Sequence, residues 1–204
     1  MDHFRRLSSD PPPDGNTVVF FGLLSVAPNI DGLQFFVKSI WPSIAAARPN
    51  ARFRIIGAGA PRSVLKLAGP RVEMAGFVPD LRRELAQAAV LVVPLRLGTG
   101  TRLKVVEGMA MEVPIVSTTL GAEGIEVVDG RDVLIADDAA AFAAAVVRLL
   151  DDPELGTRLG ASARRLAVDR YSWSAAALCL EDFLHEIIES RGARNGAPTR
   201  ASAS

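Results

Sequence analysis

The 204-residue sequence has a single cysteine, Cys179. An internal disulfide is therefore excluded, and the redox compartment is left open. There are two histidines, His3 and His185, and neither belongs to a His, Asp and Ser set that would suggest hydrolysis. Charge is not in excess in either sense, with 23 basic against 23 acidic residues. Without a global basic field, a nucleic-acid partner is not expected. Long apolar runs are also missing: the longest uncharged alanine-rich stretch, Ala139 to Val147, falls well short of the ~20 residues that span a bilayer. The start, Met1-Asp-His-Phe-Arg-Arg, has no apolar core of the kind found in a signal peptide. A cytoplasmic protein without a transmembrane segment is expected, with peripheral attachment at the inner face of a membrane left open.

What the chain does contain is a regular alternation of short apolar runs and helical patterns. Thr17 to Leu24, Arg52 to Ile56, Val72 to Ala75, Val90 to Val93, the run through Val116, and Val133 to Ile135 read as strands. Between them, a helix is expected from Asp31, carrying Leu33, Phe36, Val37, Ile40 and Ile44 on one side and closing at Arg48-Pro49. Others are expected over Leu81 to Ala88, from Thr101 or Arg102, and over Ala139 to Leu150, Pro153 to Val168 and Ser174 to Glu189. Strands that are apolar on both faces and separated by single helices predict an α/β fold, a doubly wound parallel sheet of Rossmann-like type. The length suits one such domain, over 16–190, and is too short for two. Residues 1–15, with Pro11-Pro12-Pro13, read as linker or a disordered remnant, and 191–204 as a disordered tail.

Ligands of such sheets bind outside the carboxyl ends of the strands. Gly22, Gly57, Phe77, Gly98 to Thr101 and Gly121 all fall there. The richest segment is Gly98-Thr-Gly-Thr-Arg-Leu-Lys-Val-Val-Glu107. Its glycines allow close approach of a ligand to the backbone, and the helix that follows points free amides back at the loop, as an anion site requires. Arg102 and Lys104 lie in the first turn, where a cation opposes the helix dipole unless an anion is present. Glu107 is five residues beyond Arg102, roughly 7.5 Å along the axis, a span that fits a diphosphate and the ribose attached to it. A carboxylate at that place accepts two hydrogen bonds from a ribose diol.

Plainer readings stand beside these. The glycines serve a tight turn, Arg102 and Lys104 are solvated charges, and Glu107 marks the wet edge of a helix whose apolar stripe is Leu103, Val106 and Ala110. Gly57-Ala-Gly59 follows the second strand and has Arg62 where a dinucleotide fingerprint needs its third glycine. Glu123 reads as a loop residue, Cys179 as core, His185 as surface, and Asp137-Asp138 as residues that offset a helix dipole rather than hold a cation.

The segment Gly98 to Ala110, followed by Val113-Pro-Ile-Val-Ser-Thr118, resembles the C-terminal, donor-binding domain of the family 4 (group 1) glycosyltransferases of GT-B fold. The resemblance runs from about Thr17 to Glu189 and is densest between Gly76 and Gly130. It implies retaining transfer from a nucleotide-diphosphate sugar to a glycan or other acceptor, with no cofactor and no metal. Within that resemblance, Glu107 matches the ribose-binding second glutamate of a Glu-x7-Glu pair. Thr99 stands where the first would be, Leu23 after Gly22 where an arginine is usual, Asn29 where a lysine is common, and Glu112 where a glycine is usual. Gly22, Gly98, Thr99, Gly100 and Thr101 are implied to face the donor phosphates, Phe77 and Val78 to wall the base, and Arg102 and Lys104 to supply the missing charge. Polysaccharide biosynthesis is the implied setting.

A family 4 enzyme needs two facing halves, so the acceptor domain is expected to be missing or separately encoded. A non-catalytic nucleotide or nucleotide-sugar binding module, a degenerate or truncated transferase, is the alternative. A signalling receiver domain is disfavoured, because Phe20 to Leu24 and Val72 to Ala75 supply none of the aspartates it needs.

Overall fold

Six strands form one parallel sheet in the order β3-β2-β1-β4-β5-β6. They are β1 Thr17–Phe21, β2 Arg52–Ile56, β3 Val72–Gly76, β4 Val90–Val93, β5 Ile115–Ser117 and β6 Leu134–Ile135. The computed structural model describes residues 4–7, 9–98 and 100–195, with backbone only at 179, 182, 186 and 188–195. Cys179 as a core side chain, Thr99 as a phosphate contact, and most of the expected tail thus lie outside the described residues. Every residue of β4 and β5 is buried, as strands covered on both faces require. This is the doubly wound α/β fold that the alternation predicts.

Because β1 to β3 step one way across the sheet and β4 to β6 the other, right-handed crossovers place their helices on opposite faces. One layer holds α1 Ala27–Phe35, α2 Trp41–Ala47, α3 Arg62–Leu65 and α6 Ala139–Asp151, and the other holds α5 Leu103–Ala110 against α7 Pro153–Tyr171. In the first layer the Phe36 ring lies 4.5 Å from that of Phe53, tilted by 43°, and meets Phe142 edge-on at 6.0 Å. Such pairs add about 0.5–1.5 kcal/mol each beyond the area they bury. Leu33, Phe36, Ile40 and Ile44 are all fully buried there, as their spacing predicts.

Several boundaries differ from the sequence expectation. β1 ends at Phe21 instead of Leu24, and the first helix begins at Ala27 instead of Asp31. Pro28 is the cause: it occupies the first turn, where its fixed φ suits a helix and its missing N–H is not needed. The helix then passes through a π turn, Phe36–Ile40, before α2. The stretch expected to be linker lies along the domain, with Phe4 packed against the core and Arg6 donating to the carbonyls of Pro11 and Ala86. The last helix, α8 Trp173–Asn195, runs past residue 190, and α4 spans Leu81–Gln87. No helix among the described residues is long and apolar enough to cross a membrane.

Asp138 and Asp152 cap α6 and α7 by accepting from Ala141 N and Leu155 N, both at 2.8 Å. Asp137 instead accepts from the N–H and hydroxyl of Thr119, tying the turn after β5 to the end of β6. α5 closes with Val113 N donating to Gly108 O and Glu112 N donating to Met109 O. That hydrogen-bond pair places Glu112 at the left-handed position of a Schellman ending, with φ 59°. The position where the resemblance leads one to expect glycine therefore retains glycine's conformation.

Candidate anion site at the carboxyl end of the sheet

The strand order reverses between β1 and β4, so the crevice of this fold opens between the loops that follow those two strands. The two loops touch there. A Cβ on Gly98, whose φ is 114°, would come within 2.7 Å of Pro28 Cγ in the first turn of α1. A Cβ on Gly22, with φ 150°, would come 2.9 Å from Asn29 Nδ2 and 3.3 Å from Lys104 Nζ. A side chain at Gly98 would press on the Pro28 ring, and one at Gly22 would displace the Asn29 amide and the Lys104 ammonium, and both glycines have positive φ.

Lys104, in the first turn of α5, reaches across this crevice. Its Nζ donates to Asn29 Oδ1 at 2.6 Å and rests 4.1 Å above the centre of the Phe20 ring. Burial, with Arg102 adding repulsion, lowers its pKa from 10.5 to about 7, against an opposing pull from Glu107. Glu107 is half-buried one turn further along. Burial pushes its carboxyl upward, while Lys104 acts the other way. A cation and a carboxylate are thus held, partly desolvated, on one face of one short helix.

Arg102 has a different setting from the solvent-facing cation that the sequence suggests. Its side chain is 5% exposed. It donates Nε to Leu120 O at 3.0 Å, and Nη2 to Gly98 O at 3.0 Å and to Glu123 Oε2 at 3.3 Å. The guanidinium fork therefore braces the glycine loop against the turn at Leu120–Ala122. The sequence did not assign Glu123 a partner, since only the fold brings it to Arg102.

The remaining candidates are spread along the same edge. Gly100 and Thr101 are exposed on the loop. Phe77, just past Gly76, is 76% exposed, whereas Val78 is half-buried and packs on the core. Val106 and Ala110 of the expected apolar stripe of α5 are buried, together with Val105, Gly108 and Met109, whereas Leu103 is 61% exposed and does not belong to it. Leu103 is the first residue of the helix.

Clefts lie at both ends of the sheet. One, of about 440 Å³, lies on this edge and is lined by Leu95, Arg96, Thr118, Thr119, Glu123 and Asp137 among others. The larger, of about 730 Å³, is at the opposite end of the sheet, between Pro12, Ala88, Glu112, Pro114 and Pro153. Volume favours the second, but topology and the placement of Lys104 and Glu107 favour the first edge. Among the described residues, no group of three or more His, Cys, Asp or Glu could hold a metal ion.

A family model described as "Glycosyl transferases group 1" matches residues 15–152. The GDP-mannose-dependent monoacylated alpha-(1-6)-phosphatidylinositol monomannoside mannosyltransferase of Corynebacterium glutamicum is 26% identical over 155 residues, covering 70% of this chain and 40% of that protein. The MMP alpha-(1->4)-mannosyltransferase of Mycolicibacterium hassiacum is 37% identical over 103 residues, 48% of this chain and 24% of that one. The chain thus spans less than half the length of these relatives. Among solved structures, sucrose-phosphate synthase from Thermosynechococcus elongatus superposes with a TM-score of 0.70 at 23% identity, covering 88% of this chain and 47% of that one. The C-terminal domain of a glycosyl transferase group 1 family protein from Francisella tularensis gives 0.63 at 16% identity, covering 79% of this chain and 88% of that domain. These likenesses establish one Rossmann-like half of a GT-B fold, and with the family match over most of the sheet they identify the chain as a member of the group 1 glycosyltransferases.

Proposed function

We propose that this chain is the donor-binding side of a retaining glycosyltransferase that uses a nucleotide-diphosphate sugar. The observation that carries the reading is the Lys104 ammonium held in the crevice between β1 and β4, beside Gly22 and at the amino end of α5. The diphosphate lies against Lys104, Gly22, the Gly98 to Thr101 loop and the free amides of α5. Glu107 takes the ribose hydroxyls, and Phe77 with Val78 borders the base. Arg102 acts from behind, keeping the loop's shape and adding positive potential.

In the transfer, the bond from the anomeric carbon to the diphosphate oxygen breaks with its electron pair on the diphosphate. The new bond to the acceptor oxygen forms on the same face of the sugar, and the acceptor's proton leaves with the departing diphosphate. Charge grows on the leaving group in the transition state, where Lys104 and the helix amides stabilise it more than in the ground state. A facing acceptor half excludes water and presents the acceptor. The setting is cytoplasmic, on the route to a cell-envelope glycan. The GDP-mannose dependence of the Corynebacterium relative makes GDP the first nucleotide to test, and HepE of Anabaena, crystallised with UDP, makes UDP the second.

The second reading is a nucleotide or nucleotide-sugar binding module without turnover. Thr99 in place of the expected first glutamate favours it. Calorimetric titration with UDP, GDP, ADP and dTDP, with Glu107→Ala in parallel, tests the donor site. Selective binding weakened by the substitution supports it, and binding of none contradicts it. Release of the nucleotide from a bound nucleotide sugar, on addition of candidate acceptor-domain partners, separates a transferase from a module.

A further inference from the structure

We infer that Asn29 is a positioning residue of the anion site, a neutral strut that aims the Lys104 ammonium into the crevice without cancelling its charge. This rests on the diphosphate reading above. Asn29 is in the first turn of α1, 7% exposed, and both ends of its amide are engaged. Oδ1 accepts from Lys104 Nζ at 2.6 Å, and Nδ2 donates to Leu23 O at 2.8 Å. Turning the amide over would set donor against ammonium and acceptor against carbonyl, so its chemistry fixes its orientation.

The carbonyl at the far end of the strut is itself anchored. The adjacent Leu24 N donates to Ala58 O at 2.9 Å, and Gly22 N donates to Ile56 O at 3.1 Å, which fastens the β1 loop to the β2 loop. The strut therefore transmits the position of the sheet edge to Lys104, 75 residues away in sequence. The Phe20 ring supports the ammonium from below and uses none of its donors. Of the three N–H donors, Asn29 takes one, and among the described residues no second acceptor reaches Nζ. Two donors are left for a ligand.

The neutrality of the strut matters as much as its reach. A carboxylate in the same place would make the same contact and satisfy the ammonium as an ion pair, removing the charge an anion needs. The groups packed on Lys104 from β1 and α1, Phe20 and Asn29, do not titrate. Its charged neighbours, Arg102 and Glu107, both come from its own helix, or its start, and oppose each other.

The test uses the whole chain with Asn29→Asp and Asn29→Ala, GDP and UDP as probes, and competitive acetylation of Lys104 across pH read by mass spectrometry. Asn29→Asp is expected to hold or raise the thermal midpoint while weakening binding of whichever probe the wild type takes by about tenfold or more. It is also expected to move the acetylation midpoint of Lys104 upward. Asn29→Ala should weaken binding as well, but without that upward move. The exchange Asn29→Lys with Lys104→Asn should recover part of the affinity that either single change loses. Wild-type affinity in Asn29→Asp, or an unmoved acetylation midpoint, overturns the inference. If the wild type binds neither probe but the midpoint moves as expected, the strut stands and the nucleotide reading falls.

Discussion

Arg102 donates its Nε to the carbonyl of Leu120 at 3.0 Å, across 18 residues of sequence, and so fastens the start of α5 to the turn that follows β5. With Gly98 O and Glu123 on its other nitrogen, the side chain is the clamp of the glycine loop. Replacing it by methionine leaves two carbonyls without their donor in a site that is 5% exposed. A loss of roughly 2–4 kcal/mol in urea unfolding is expected. Arg102→Lys should recover little of this, because an ammonium cannot span the same acceptors as the fork. If Arg102→Lys is as stable as the wild type, the clamp is not the role of this residue.

Lys104 gives the site a pH dependence with a defined sign. Its pKa of about 7 in the fold lies below the ordinary 10.5, so between those values the unfolded chain holds more protons. Its contribution therefore makes stability rise with pH through that window, and in Lys104→Met this part of the dependence should vanish. Anion binding has the opposite trend, since the diphosphate selects the protonated amine. Nucleotide affinity should fall as pH rises above about 7, with proton uptake visible as a dependence of the binding heat on the buffer's ionisation enthalpy.

Glu112 is the non-glycine residue with positive φ, 59°, among those described. An L side chain in that region costs about 1 kcal/mol relative to glycine, and the Schellman ending is completed by backbone groups alone. Glu112→Gly is expected to raise stability by about 1 kcal/mol without changing nucleotide affinity. A destabilised variant would show that the Glu112 side chain has a role that its backbone does not reveal.

The adjacent aspartates 137 and 138 divide their work, and a pair of substitutions should separate them. Asp138→Ala removes the cap of α6 and should cost about 1 kcal/mol with the site untouched. Asp137→Ala frees Thr119 and loosens a wall of the cleft beside Arg96 and Glu123, so any effect on ligand binding should come from this variant alone. Chemical unfolding and nucleotide titration of both variants check the division.

Much of the architecture is legible locally. Val90 to Val93 and Arg52 to Ile56 have strand boundaries fixed by their own apolar runs and the turn residues around them, and the fold places them where expected. The start of the first helix is less legible, since Pro28, after a glycine turn, serves a loop and the start of a helix equally well. The candidate site is legible only as a cluster on one segment. Lys104 meets Asn29 across 75 residues, and Arg102 meets Leu120 and Glu123 because β5 neighbours β4. Neither pairing leaves a mark in the spacing. A sequence thus presents Arg102 and Lys104 as equivalent charges, whereas the fold buries one as a clamp and aims the other at the crevice.

On the proposed reading, a nucleotide binds at the carboxyl end of the sheet, at the crevice between β1 and β4, despite the larger cleft at the other end. Titrating the 15N-labelled chain with GDP and with UDP and following every backbone amide tests it most directly. One nucleotide is expected to move the amides of Gly22, Gly98, Gly100 and Leu103 to Val105 together, and these shifts should be lost in Lys104→Met. Shifts confined to Gly15, Glu112, Gly156 and Thr157, or no shift with either nucleotide, would contradict it.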